Sequence, residues 1–117
     1  MEIAPGCRYV PGFFDRAAQE ALIGALRDVV AAAPFYTPRM PRTGKPFSVA
    51  MTNCGPLGWV SDKGGGYRYQ ATHPETGKPW PPMPRVLLDA WERLAAYPQP
   101  PEACLVNYYR PSAKMGL

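Results

Sequence analysis

The sequence predicts an α+β fold. Three observations predict it. Two stretches carry apolar residues at helical spacing, and several short stretches alternate in the manner of strands. Sixteen prolines and eleven glycines then divide the 117 residues into short elements. Proline removes a backbone donor and glycine tolerates positive φ, so much of the chain is turn or irregular segment. Aromatic residues make up 12% of the chain, which argues against disorder.

Residues 7–10 form a short β-prone piece between Pro5-Gly6 and Pro11-Gly12. Asp15 is an N-cap for a helix running to about Ala33. Leu22, Ile23, Leu26, Val29, Val30 and Ala33 make one apolar stripe, with Gln19, Glu20, Arg27 and Asp28 largely off it. Pro34 closes the helix, because the residue before a proline is pushed out of the α region. Residues 38–46 are a basic loop with Arg39, Arg42 and Lys45, turning at Thr43-Gly44. Residues 47–52 read as a strand with Phe47, Val49 and Met51 on one face. A turn-rich connection over 53–58 leads to Trp59. Asp62-Lys63-Gly64 supplies the turn of a hairpin that returns through Tyr67-Arg68-Tyr69, both tyrosines on one face. Residues 72–84 are proline-rich and irregular. A second helix runs from Pro84 to about Ala96 and is expected to bury Leu87, Ala90, Trp91 and Leu94. Residues 102–110 are a strand. After a turn at Pro111-Ser112, residues 113–117 are expected to begin another.

The length fits one small domain or part of a larger one. Thirteen Lys and Arg against nine Asp and Glu give +4, compatible with a phosphate-bearing partner but not diagnostic of one. Cys7, Cys54 and Cys104 are widely spaced, form no CxxC pair, and are expected to be buried free thiols. The start lacks the basic and apolar regions of a signal peptide, and residues 21–35 are too short and too charged to span a bilayer. A soluble, cytoplasmic protein with no membrane partner is the expectation.

Most catalytic constellations are missing. His73 is the one histidine. His73-Pro74-Glu75 has the spacing of a His-x-acid iron pair, but no second histidine completes a facial triad. No metal ligand and no catalytic residue is therefore assigned. Nor can a Ser-His-Asp or Cys-His arrangement be built from one loop histidine. Gly64-Gly65-Gly66 lacks the Gly-Lys-Ser/Thr end of a P-loop. What is present is Trp59, Tyr67 and Tyr69 beside Arg39, Arg42, Lys45, Lys63 and Arg68. Aromatics interleaved with cations suit stacking on bases with charge on phosphates. The alternative is that Trp59 and one tyrosine fill the core.

Four ordered motifs carry a resemblance. They are Met51-Thr52-Asn53-Cys54-Gly55-Pro56-Leu57-Gly58-Trp59, then Gly66-Tyr67-Arg68-Tyr69, then Gly77-Lys78-Pro79-Trp80-Pro81-Pro82-Met83-Pro84, and finally residues 103–117 with Cys104-Leu105-Val106-Asn107-Tyr108-Tyr109. Together they resemble the bacterial AlkB family of iron(II)- and 2-oxoglutarate-dependent dioxygenases. The similarity is strong over residues 48–117, weaker over the first helix, and absent as a specific motif before Phe14.

The resemblance implies the N-terminal part of a double-stranded β-helix, a jelly-roll relative, with an incomplete core. It divides the chain into a support helix and basic loop (about 14–46), a nucleotide-recognition lid (47–70), a second support helix (84–97) and the first core strands (102–117). It implies oxidative repair of N-alkylated bases in damaged or single-stranded DNA, or in RNA: the hydroxylated alkyl group leaves as an aldehyde, from a base taken out of its stack. By motif match, Trp59, Met51, Tyr67 and Lys114 would meet the nucleotide, and Asn107 and Tyr109 would hydrogen-bond 2-oxoglutarate. Those two also share one face of the last strand. The full-length protein is expected to be a monomer.

There are departures from the family pattern. Gly116 stands where a small polar residue is common, and residues 37–46 do not match closely. In the family the last motif leads directly into His-x-Asp. That pair, the distal histidine and the co-substrate arginines are missing, so this chain is expected to be a truncated or trimmed piece without iron or activity of its own. Val106, Met115 and Leu117 would then lack partners and the isolated chain would be marginally stable. Two other readings stay open: a non-catalytic single-strand-binding module, and an inert remnant.

Overall fold

The computed structural model describes residues 1–114. Its elements are β1 (Glu2–Ala4), β2 (Cys7–Arg8), α1 (Arg16–Ala32), β3 (Val49–Cys54), β4 (Gly58–Asp62), β5 (Gly66–Gln70), α2 (Arg85–Leu94) and β6 (Cys104–Tyr109). Among the described residues the strands pair as three antiparallel ladders, β1–β2, β3–β6 and β4–β5. This is an α+β architecture. Among the described residues, no helix is long and apolar enough to cross a membrane.

The first departure from expectation is at the N-terminus. The strand expected over 7–10 shrinks to Cys7–Arg8, and Glu2–Ala4 pairs with it across a turn in which Gly6 takes φ +76°. The residues between are held by Glu2, whose Oε1 accepts the Gly6 N–H at 3.0 Å. This hairpin is exposed throughout, so Cys7 is an exposed thiol rather than a buried one.

Helix α1 starts where the sequence indicates. The Asp15 carboxylate accepts the Ala18 N–H at 2.8 Å, satisfying one of the donors that a helix start leaves free. It ends at Ala32, with the Ala33 N–H closing on Val29 O at 2.8 Å before Pro34. Only Val29 and Ala33 of the stripe are buried, and Ile23 is exposed. Ile23, Leu26 and Val30 face Val106 and Tyr108 of β6 across a cleft of about 560 Å³. Val106 is half-buried there, so it does have partners, contrary to expectation.

The strand expected over 47–52 is displaced to Val49–Cys54. Phe47 instead bonds back to Pro38 O through its N–H at 2.8 Å, while Asn53 and Cys54 stay extended because Leu105 and Cys104 pair with them. The register places Val49 opposite Tyr109, Met51 opposite Asn107 and Asn53 opposite Leu105 on one face of the ladder. The other face carries Ala50, Thr52 and Cys54 opposite Tyr108, Val106 and Cys104. The β4–β5 hairpin forms as expected, with Asp62 at its tip accepting Gly65 N–H at 2.6 Å and Arg68 Nη2 at 2.9 Å. That Arg68 hydrogen bond, with the Gly65 N–H, holds the Asp62 carboxyl below the usual carboxylate range.

Ala33, Tyr36, Val60 and Trp80 form the central apolar cluster. Gly58 is pressed against it, and a β-carbon there would overlap the Trp80 indole. His73, a loop residue as expected, is buried. Its Nδ1 accepts the Glu75 and Thr76 N–H groups at 3.0 and 3.2 Å, so Nε2 carries the proton and donates to Pro34 O at 2.7 Å. The segment expected to be irregular over 72–84 is thus tied in, with Thr72 bridged to Pro79.

Helix α2 is shorter than expected, because Ala96 turns into the left-handed region at φ +49°. Pro84 is its N-cap rather than its first residue. Leu87, Ala90, Trp91 and Leu94 are half-buried, not buried, and line a cleft of about 350 Å³ with Met83 and Cys104. Ala113 and Lys114 are outside any strand. Met115 and Leu117, expected as unpartnered strand residues, and Gly116 lie outside the described residues.

Cys54 and Cys104 face each other across the β3–β6 ladder. The hydrogen bond from Cys54 pulls the Cys104 thiol down to about 7, and the same bond, with burial, pushes the Cys54 thiol up. Thiolate is the nucleophile, so Cys104 should react with iodoacetamide increasingly as pH rises through neutrality, while Cys54 stays unmodified until the chain unfolds. Cys54→Ala should move the midpoint of Cys104 labelling upward, toward the ordinary value of 9.0. Peptide mass spectrometry over a pH series reads both; equal labelling of the two thiols in the folded chain would contradict the assignment.

Candidate nucleotide and oxo-acid clefts

The site grows from the β3–β6 face that carries Val49, Met51, Asn53, Leu105, Asn107 and Tyr109. Two adjoining clefts open on it, and Met51 lines both. One, about 430 Å³, is lined by Met40, Phe47, Met51, Asn107, Tyr109 and Lys114 among others. The second, about 450 Å³, is lined by Met51, Asn53, Trp59, Tyr69, Ala103 and Leu105.

In the first cleft, two-residue alternation brings the Asn107 and Tyr109 side chains together. Asn107 Nδ2 donates to Tyr109 Oη at 3.2 Å, with both side chains exposed to solvent. An amide and a phenol converging on one opening offer donors to a carboxylate. Lys114 stands at the rim, its backbone N–H 3.4 Å from Ser48 Oγ. Met51 supplies an apolar, buried floor and is pinned by backbone bonds in both directions to Tyr36, at 2.8 and 2.9 Å.

In the second cleft the β4–β5 hairpin supplies the aromatics. Trp59 is half-buried, so the core position that Trp59 could have taken belongs to Trp80. Tyr67 stacks on the Trp59 indole, with ring centroids 5.6 Å apart and planes 25° apart, and Phe47 lies 6.1 Å away at 51°. Tyr67 and Tyr69 are 58% and 62% exposed, so the two strand-alternating tyrosines present their rings to water.

Of the residues singled out from the sequence, Met51, Asn107, Tyr109 and Lys114 share one cleft, and Met51 and Trp59 share the next. Tyr67 reaches the site through its stack on Trp59 rather than as part of either cleft lining named above. The sequence reading passed over Leu105, which follows from the same alternation as Asn107 and Tyr109, and Met40, which no sequence signal marks. In the loop over 38–46, Arg39 Nη1 donates to Gly44 O at 3.0 Å, so that guanidinium is partly spent on closing the loop.

Among the described residues there is no group of three or more His, Cys, Asp or Glu side chains able to hold a metal ion. Both nitrogens of His73 are engaged with backbone. These residues do not fit an iron site, and none of them is assigned to one.

Comparison with known proteins bears on this geometry. Residues 6–117 match the model of the 2OG-Fe(II) oxygenase superfamily. An alpha-ketoglutarate-dependent dioxygenase AlkB homolog from Caulobacter vibrioides is 50% identical over 117 residues, 100% of this chain and 52% of the relative. The alpha-ketoglutarate-dependent dioxygenase AlkB of Escherichia coli is 44% identical over 104 residues, 86% of this chain and 47% of the relative. That of Salmonella typhimurium is 40% identical over 119 residues, 98% of this chain and 54% of the relative. The chain therefore spans about half the length of the curated relatives it matches.

Proposed function

This chain belongs to the 2OG-Fe(II) oxygenase superfamily, among the AlkB dioxygenases, and on that premise we propose that it forms the base-recognition and 2-oxoglutarate-facing part of an enzyme that removes alkyl groups from nucleobases. The observation that carries the reading is the pair of clefts joined at Met51, one edged by an indole and the other by convergent amide and phenol donors. A base needs a flat apolar partner and an oxo-acid needs hydrogen-bond donors. Here the two clefts lie side by side and share Met51.

In this reading Trp59 is the stacking surface for a base out of its helix, and Met51 fills the space beside it. Single-stranded DNA or RNA lowers the cost of exposing that base, which is of order a few kcal/mol in a duplex. Asn107 Nδ2 and Tyr109 Oη donate to 2-oxoglutarate, and Lys114 meets the nucleotide. Iron(II) and 2-oxoglutarate would, in enzymes of this kind, activate dioxygen, which is the oxidant for the alkyl C–H bond. The β3–β6 ladder is, on the same proposal, the beginning of a double-stranded β-helix.

The test uses the protein that contains this chain together with a single-stranded oligodeoxynucleotide carrying 1-methyladenine. Mass spectrometry should show demethylation that depends on added iron(II) and 2-oxoglutarate. Tyr109→Phe should raise KM for 2-oxoglutarate roughly tenfold, the loss of one hydrogen bond to a charged group. An unchanged KM would remove Tyr109 from the co-substrate site; intact methylated strand under all conditions would remove the activity.

A further inference from the structure

The Asn53 side chain is fully buried, in a strand between Thr52 and Cys54. A buried carboxamide costs stability unless its polar atoms are paired. Both are paired with one residue: Nδ2 donates to Trp59 O at 3.1 Å, and Oδ1 accepts the Trp59 N–H at 3.1 Å. A carboxamide has the donor and acceptor of a peptide group, so Asn53 does for Trp59 what a residue on a neighbouring strand would do.

The topology shows why that matters. Trp59 lies opposite Tyr69 in the β4–β5 ladder, but its own N–H and C=O point to the outer edge of β4, where no strand pairs with it among the described residues. Asn53 occupies that edge. The Tyr36 hydroxyl, pushed up to about 12 by burial and so protonated at neutral pH, donates to the same Trp59 oxygen at 2.8 Å. Two residues further on, Ser61 exchanges bonds with the Arg39 backbone, at 3.0 Å through its carbonyl and 2.6 Å through its hydroxyl. Along this seam, Asn53 is the residue that is itself a rung of the β3–β6 ladder, two pairs away from Met51–Asn107 and on the same face.

We propose that Asn53 is a positioning residue, which fixes the Trp59 backbone against the ladder bearing Asn107 and Tyr109 and thereby sets the indole's place over the base cleft. The proposal rests on the reading of Trp59 as the base platform. Aspartate cannot replace it, because a carboxylate has no proton to give the Trp59 carbonyl. Leucine would leave the Trp59 N–H without its acceptor and the Trp59 carbonyl with the Tyr36 hydroxyl alone.

The test combines exchange, spectroscopy and a double-mutant cycle on the full chain. In the wild type, the Trp59 amide should exchange with deuterium roughly a hundredfold or more slowly than a free peptide amide, since Asn53 Oδ1 is its acceptor. With 5-fluorotryptophan incorporated, Asn53→Ser should shift or broaden the Trp59 fluorine resonance, identified by its loss in Trp59→Phe, and leave those of Trp80 and Trp91 in place. Asn53→Ser should also weaken binding of a 1-methyladenine oligodeoxynucleotide about fivefold. In a Trp59→Ala background the same substitution should have no effect, because its consequence runs through the indole. Equal loss in both backgrounds, an unmoved Trp59 resonance, or free exchange of the Trp59 amide would each overturn the proposal. If Trp59→Ala itself leaves binding intact, the base-platform reading fails, while the exchange and fluorine measurements still decide the clamp. Should Asn53→Ser not fold, the wild-type exchange rate decides it alone.

Discussion

Trp80→Ala should lower the unfolding free energy by about 3–5 kcal/mol, a large part of what a small domain possesses. The indole is buried against Tyr36, Val60 and Ala33, with the His73 ring 5.2 Å away. Its Nε1 donates to Gln70 O at 2.9 Å, so truncation removes both the packing and the donor. The space left behind cannot collapse easily. Gly58 already lies against the ring, and β4 is held on its other edge by the Asn53 bonds. Trp80→Phe should cost less, since it retains most of the volume and leaves only Gln70 O without its donor. Trp91→Ala should cost less still, because that indole, on α2, is half-exposed. Urea midpoints for the three variants measure the order. A Trp80→Ala chain as stable as wild type would mean that the core has been misplaced.

Trp59→Ala should do the reverse, sparing the fold and removing function. Stacking on one base contributes about 1–3 kcal/mol, so affinity for a single-stranded 1-methyladenine oligonucleotide should fall roughly five- to 150-fold. The salt dependence should stay as it was, because the phosphate contacts come from cations and not from the indole. Lys114→Ala should behave oppositely, with a shallower salt slope and a smaller loss at high salt. Tyr67→Ala should weaken binding less than Trp59→Ala, since it removes the ring that backs the indole. Fluorescence anisotropy at several salt concentrations separates these outcomes. Equal affinity for wild type and Trp59→Ala would leave the indole without a part in binding.

Local signals carried a good share of the structure. The Asp15 cap, the stop at Pro34 and the Asp62 turn act over a few residues, and the elements they define formed where the pattern placed them. Two-residue alternation was enough to put Asn107 and Tyr109 on one side of a strand. What escaped depended on long-range packing. Trp59 and Trp80 sit in equally apolar surroundings in the sequence, and only the fold decides that Trp80 goes inward. His73 lies among prolines with no period to mark burial, and its partners Pro34, Glu75 and Thr76 include one from 39 positions away. The stripe of α2 is real, but the surface opposite it is a cleft, so Leu87 and Leu94 are only half-covered. Asn53 was visible only as a letter in a motif; its pairing with Trp59 needs the bend at Gly55 and the return of the chain, which no spacing rule supplies.

The end of α1 ties these layers together. A helix leaves its last carbonyls without intrahelical donors. Here the next two oxygens, those of Ala33 and Pro34, accept hydrogen bonds from the Thr52 hydroxyl at 2.7 Å and the His73 imidazole at 2.7 Å. Thr52 is the immediate neighbour of Met51 on β3. Any axial slip of the helix must therefore drag the strand beneath both clefts, and heat that frays this terminus loosens the floor on which base and oxo-acid would rest. Rigidity at the face proposed to bind is thereby borrowed from the end of α1.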